Sequence, residues 1–250
     1  MSQRATFSCS ALLGTNKAGV LKPDENGYYT VVLGALDTYN SAGDFYPFES
    51  AKELFKESSS LMRRINNGAC RAEYGHPKKL PGMTDREFLS RILTIHEDKV
   101  CAHIKDVTLD YSGIKGNDGR AVIAIIGKVK PSGPYGQVLK EQLENTQENV
   151  CFSIRSLTKD VFDGRVNRKN LMQVICWDYV NEPGISVANK YQSPALEAVN
   201  DSIITFTASQ FESVRDSLKC VGMENNGVDV DEIINQLRGP VSDKPPSMKW

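Results

Sequence analysis

Residues 149–180, NVCFSIRSLTKDVFDGRVNRKNLMQVICWDYV, decide the fold class of this chain. Two runs rich in β-branched and aromatic residues, 149–161 and 171–180, flank a charged, glycine-containing turn, the pattern of two consecutive strands. Two runs of the same kind precede them, DKVCAHIKDVTLDY (98–111) and AVIAIIGKV (121–129), and a fifth, GYYTVVLGAL, lies at 27–36. Helices are inserted between these strands without regular alternation. PFESAKELFKESSSLMRRINNG (47–68) carries Phe48, Ala51, Leu54, Phe55, Leu61, Met62 and Ile65 at helical spacing, with Gly68 where a C-terminal cap belongs. TDREFLSRIL (84–93) opens on a capping-box pair, Thr84 and Glu87. GPYGQVLKEQLENTQEN (133–149) favours a helix entered through Pro134. The expected class is α+β: a largely antiparallel, barrel-like sheet with inserted and surrounding helices, unlike a doubly wound parallel sheet.

The chain has 250 residues and 40% hydrophobic content, enough for a sizeable core. Thirty basic residues against thirty-one acidic ones leave a net charge of −1 without long blocks of one sign, which argues against nucleic-acid and membrane partners. The first residues, MSQRATFSCSALLG, lack the apolar core of a signal peptide, and no stretch is long enough to span a membrane as a helix. Six cysteines far apart, with no CxxC pair, read as buried free thiols in a reducing compartment. After about residue 190 the patterning weakens: SQFESVRDSLKC (209–220) and VDVDEIINQLRG (228–239) are candidate helices, followed by a Pro- and Lys-containing tail. The expected division is therefore 1–190 for the main domain and 191–250 for a C-terminal appendage.

No phosphate-cradling glycine loop follows a strand, and the histidines at 76, 96 and 103 lack metal-ligand spacing, so neither cofactor nor metal is expected. What remains is hydrolytic chemistry, which needs a nucleophile, a base, a group that orients the base and donors for the oxyanion. On the 149–161 strand, alternation sets Val150, Phe152 and Ile154 on one face and Cys151, Ser153 and Arg155 on the other. Ser153 taken alone reads as an ordinary strand serine. His76, between Gly75 and Pro77 in RAEYGHPKKLPG (71–82), taken alone reads as a turn residue.

In order, the segments NSAGDFYP, an amphipathic helix, AEYGHP, HIKDVTLD, a second strand and helix, CFSIRS and ICWDYVNEPG resemble the prohead core protease of tailed bacteriophages. That family of serine endopeptidases is distantly similar in fold to the herpesvirus capsid-maturation protease. The resemblance covers roughly residues 27–190. It implies His76 as general base and Ser153, which opens a Ser-x-Arg strand, as nucleophile. Asp178 in CWDYV fits the third member, with Asp106 and His103 as reserves. Arg155 is the oxyanion candidate, and Ser156 stands where the family commonly has glycine. The resemblance also implies phage scaffold or core proteins and the major capsid protein as substrates, a procapsid interior in the host cytoplasm as location, and cleavage after glutamate with a small residue two positions earlier. A homo-oligomer is compatible with this reading. Self-cleavage is then expected after Glu197 or Glu224. The competing expectations are an inactive capsid-associated scaffold protein, and a thiol nucleophile at Cys151 or Cys101.

Overall fold

The computed structural model describes residues 4–13, 21, 23–111, 114–116, 118–181, 184–185, 204–221 and 229–238. The expected α+β architecture is present. Ten strands are described: β1 (Arg4–Leu13), β2 (Tyr29–Leu36), β3 (Thr38–Tyr39), β4 (Phe45–Tyr46), β5 (Arg71–Glu73), β6 (Val100–Asp110), β7 (Ile123–Pro131), β8 (Cys151–Phe162), β9 (Asn167–Val180) and β10 (Ile204–Thr207). The helices are α1 (Phe48–Ala51), α2 (Ser60–Asn66), α3 (Asp85–Leu93), α4 (Gly136–Glu144), α5 (Ala208–Val221) and α6 (Val230–Arg238). One sheet has the order β10-β1-β8-β9-β4-β3 and the other β2-β7-β6-β5. Pairing within both is antiparallel apart from β4 on β9. A parallel bridge between Tyr74 and Tyr179, with the Gly75 N–H donating to the Tyr179 carbonyl at 2.8 Å, joins the end of β5 to β9 and closes the seam between the sheets. That seam gives the barrel-like curl.

Two cores follow from this arrangement. The first lies between the sheets and takes Val31, Leu33, Ile104, Ile125, Val129, Phe152, Ile154 and Trp177. The second lies on the opposite face of β8 and β9, where Leu157, Met172, Ile175 and Cys176 meet Phe88, Leu89, Ile92 and Leu93 of α3 and the apolar stripes of α5 and α6. A sheet covered on both faces explains why β8 is buried from Cys151 through Thr158 although its sequence is partly polar. The predicted helices at 209–220 and 228–239 are present as α5 and α6. Residues 204–207 pair with β1, and α5 and α6 share the second core with α3, so the described part of the expected appendage is packed against the main sheet. Glu197 and Glu224 lie outside the described residues.

One local expectation is corrected. The helix expected across 47–68 breaks into α1, a 3-10 turn at Lys52–Phe55 and α2. The Ser59 hydroxyl accepts from the Met62 N–H, and this N-cap starts a new helix inside what sequence periodicity reads as one. Within 71–82, Arg71–Glu73 pairs with β6. Strand β9 carries two extra residues against β8. Its pairing with β8 shifts register between Arg155 and Ser156 and again between Leu157 and Thr158. The α3 capping box forms as expected, with the Thr84 hydroxyl accepting from the Glu87 N–H and the Glu87 carboxylate accepting from the Thr84 N–H at 2.8 Å.

The turn from β7 into α4 requires glycine at 133. Gly133 has φ +77°, and a Cβ there would stand 2.8 Å from both the Val100 carbonyl oxygen and the Val100 Cβ. Left-handed backbone costs an L side chain about 1–2 kcal/mol and overpacking about 1–3, so Gly133→Ala is expected to lose roughly 2–4 kcal/mol of stability. Denaturant unfolding followed by tryptophan fluorescence measures it, and a loss below about 0.5 kcal/mol would contradict the close approach.

Candidate active site

The site begins with the register of β8 on β9. Ser153 stands directly opposite Asp178, so the two side chains share a face with Cβ atoms about 5 Å apart. That register depends on the break between Arg155 and Ser156, where Ile175 becomes an extra residue in β9, a bulge of the kind that re-aims a side chain. Arg64 in the last turn of α2 holds the bulge from the side. Its guanidinium donates to the Ile175 carbonyl at 2.7 Å and to the Val174 carbonyl at 2.6 Å. Without the two register shifts Asp178 would stand opposite Cys151, on the same face but two residues along from Ser153.

His76 arrives from the other side. Tyr74 and Gly75 are tied to Tyr179, which places the next residue beside Asp178, and His76 Nδ1 lies 2.9 Å from Asp178 Oδ2. Asp178 is fully buried, whereas the His76 side chain keeps 13% of its exposure, so the imidazole lies between the buried carboxylate and the surface. Burial alone would raise the Asp178 carboxyl, but the Arg155 charge and the His76 contact outweigh it and hold the group well below the ordinary carboxylate range. An ionised carboxylate can only accept. The proton of the His76–Asp178 hydrogen bond therefore sits on Nδ1, and Nε2 is the basic nitrogen. The Ser153 hydroxyl is 1% exposed as a residue, and its Oγ has no hydrogen-bond partner among the described residues.

Arg155 is where the structure departs most from the sequence reading. The guanidinium is fully buried and lies against acidic groups. Its Nε donates to Asp178 Oδ2 at 2.8 Å and its Nη2 to Asp178 Oδ1 at 2.8 Å, a side-on fork. The remaining N–H groups face Glu73 Oε1 at 3.4 Å, Glu73 Oε2 at 3.2 Å and the Thr94 carbonyl at 3.1 Å. Four of these contacts are hydrogen bonds, and the approach of Nη2 to Glu73 Oε2 is an ion pair. The oxyanion expectation for Arg155 therefore meets a group already committed to Asp178, Glu73 and Thr94.

Behind it is a group that sequence reading missed. Glu73, at the end of β5, is fully buried. Its carboxylate accepts both Nη groups of Arg91 from α3, Nη1 at 3.0 Å, and the His96 N–H at 2.7 Å. Its own N–H donates to Asp178 Oδ1 at 3.2 Å. Glu73 lies three residues before His76, in the same quoted motif, but its partners are 18 and 82 residues away and no local pattern connects them.

The two reserves are not brought to this cluster. His103 Nδ1 is hydrogen-bonded to the Tyr28 hydroxyl at 3.0 Å, and Asp106 pairs with Lys128 further along β6. Cys70, Cys101, Cys151 and Cys176 are buried: Cys151 Sγ lies 3.8 Å from the Asn181 carbonyl, and burial pushes the thiols of Cys101 and Cys176 up and that of Cys70 to about 11, which disfavours the thiolate.

Among known proteins, the chain is 38% identical over 254 residues to the capsid maturation protease of Pseudomonas phage phiKZ, covering all of this chain and 90% of that protein. A solved structure, the bacteriophage T4 capsid assembly protease, is similar with a TM-score of 0.47 and 11% identity, over 73% of this chain and 96% of that one. Residues 7–233 match the peptidase S80 family, and a match across so much of the chain makes this protein a member of that family and a protease.

Proposed function

We propose that this chain is a serine endopeptidase that cleaves scaffold or core proteins and the capsid protein inside a phage procapsid during head maturation. The observation that carries the reading is the His76 imidazole on a buried, clamped Asp178, directly across the strand pair from a buried serine hydroxyl. The relative from phage phiKZ, named a capsid maturation protease, supports the setting.

Ser153 Oγ attacks the scissile carbonyl carbon while His76 Nε2 takes the hydroxyl proton. The C–N bond then breaks as the imidazolium returns that proton to the leaving amine, leaving an acyl-serine. Water, deprotonated by the same nitrogen, releases the acid and restores the serine. Asp178 fixes the Nδ1–H tautomer and stabilises the imidazolium.

Specificity is proposed as cleavage after glutamate with a small residue two positions before it, a pattern present at Ala195-Leu196-Glu197 and Gly222-Met223-Glu224. A cut after Glu197 would nick the chain without releasing the C-terminal part, because β10 is paired with β1 and α5 and α6 share a core with α3. The expected result is two fragments on a denaturing gel, with a new N-terminus at Ala198, that still elute together in native gel filtration. In the same preparation, purified scaffold and capsid proteins should be cut by wild type and by Cys151→Ala. Failure of both to cut any procapsid protein would favour the inactive-scaffold reading.

A further inference from the structure

We infer that Glu73 and Arg91 are positioning residues that set the proton affinity of the catalytic imidazole through Arg155, an inference that rests on the assignment of His76 as general base. The buried groups form one connected chain. His76 Nδ1 meets Asp178 Oδ2, and Asp178 is forked by Arg155. Arg155 also meets both oxygens of Glu73, and Glu73 is held by Arg91. Glu73, Arg155 and Asp178 are fully buried and the Arg91 side chain is 10% exposed, so solvent screens these charges weakly.

Counting charges gives the network its meaning. Two carboxylates and two guanidinium groups sum to zero, so the environment of the imidazole is neutral overall. Were Arg155 balanced by Asp178 alone, the carboxylate that should stabilise the imidazolium would already be neutralised. Glu73 takes up half of that guanidinium and returns negative character to Asp178. Arg91, reaching in from α3, prevents the opposite excess. The other titratable groups around these charges among the described residues are His96, whose N–H binds Glu73, Cys176, whose Sγ lies 3.3 Å from Asp178 Oδ1, and the buried thiols of Cys70 and Cys101. Burial disfavours the charged forms of all four, so none disturbs the balance.

The arrangement also links the site to the second core. Arg91 lies on the helix whose Phe88, Leu89, Ile92 and Leu93 pack with Phe211, Val214 and Leu218 of α5. The Arg86 guanidinium on the same helix donates to the Ser217 hydroxyl at 2.7 Å. Helices α5 and α6 thus support α3, and α3 supplies the guanidinium that holds Glu73.

The test is the acid limb of the kcat/KM profile on a peptide substrate, measured for Glu73→Gln, Arg91→Gln and the double variant. One unit charge roughly 10 Å away at an effective dielectric constant of about 20–40 moves a titration by about 0.6–1.2 pH units. Glu73→Gln leaves a positive excess and should move the acid limb to lower pH by that amount. Arg91→Gln leaves a negative excess and should move it to higher pH. The double variant should return it to within about 0.3 unit of wild type, a compensation that lost packing cannot produce. If Glu73→Gln does not fold, the upward shift in Arg91→Gln decides alone. Acid limbs that stay in place, or shift in the same direction in both single variants, overturn the inference. Should the Ser153→Ala enzyme still cleave, the assignment of the base and nucleophile has failed instead, which is a separate result.

Discussion

Ser153→Ala and His76→Ala are each expected to lower peptide cleavage by about 10⁴–10⁶-fold, with Ser153→Ala staying within about 1 kcal/mol of wild-type stability. The size follows from the proposed division of labour. Without Oγ no acyl-enzyme forms, and without the imidazole nothing in the site takes the hydroxyl proton. The two losses should not add. In a nucleophile and base that act as one unit, the double variant should be no slower than either single one by more than about 10-fold. The small effect on stability follows from Ser153 Oγ having no hydrogen-bond partner among the described residues, so that removing it strands nothing. A double variant that loses the product of the two single effects would mean that they act in separate steps.

Asp178→Asn should be damaging in two ways at once. An amide in place of the carboxylate must direct its NH₂ either at His76 Nδ1 and the Arg155 Nε–H, or at the Arg155 Nη2–H and the Glu73 N–H. In either orientation two donors face each other. The buried Arg155 also loses one of its two balancing charges, and breaking a buried ion pair costs about 3–5 kcal/mol. The rate should fall by about 10³–10⁴-fold through loss of the correct imidazole tautomer. Because the folded-state carboxyl is held below its ordinary value, its contribution to stability is complete above the unfolded value of about 3.9 and is lost as pH falls through the lower folded value. Acid unfolding should therefore begin at a higher pH in Asp178→Asn than in wild type. Equal acid midpoints would show that Asp178 is not the group whose protonation opens the fold.

Much of the frame was legible because it is written locally. The strands β2 and β6 to β9 carry their own β-branched and aromatic patterning, α3 carries its capping box, and alternation along β8 correctly separated Phe152 and Ile154 from Ser153 and Arg155. The helix at 47–68 misled for a local reason as well, since the apolar spacing continues through serines that end one helix and cap the next. What lay beyond reading is set by distant pairing. β1 and β10 are edge-side strands whose identity depends on partners about 150 to 200 residues away in the register they form. The bulge at Ile175 follows no spacing rule, yet it brings Asp178 across from Ser153. The role of Arg155 was invisible for a third reason. An arginine two residues after a serine on the same strand face suggests a donor for the oxyanion, and only the fold shows that its guanidinium is engaged by Asp178, Glu73 and Thr94.

The central claim is that Ser153 is the nucleophile, and a fluorophosphonate tests it most directly, since fluoride leaves as the phosphorus–oxygen bond forms on an activated serine. Treatment of the wild-type protein followed by peptide mapping should place one adduct on Ser153, absent from Ser153→Ala and slowed at least 10³-fold in His76→Ala, in proportion to the loss of the base. An adduct mapped to another residue, or full cleavage activity in a protein quantitatively modified elsewhere, would contradict the account.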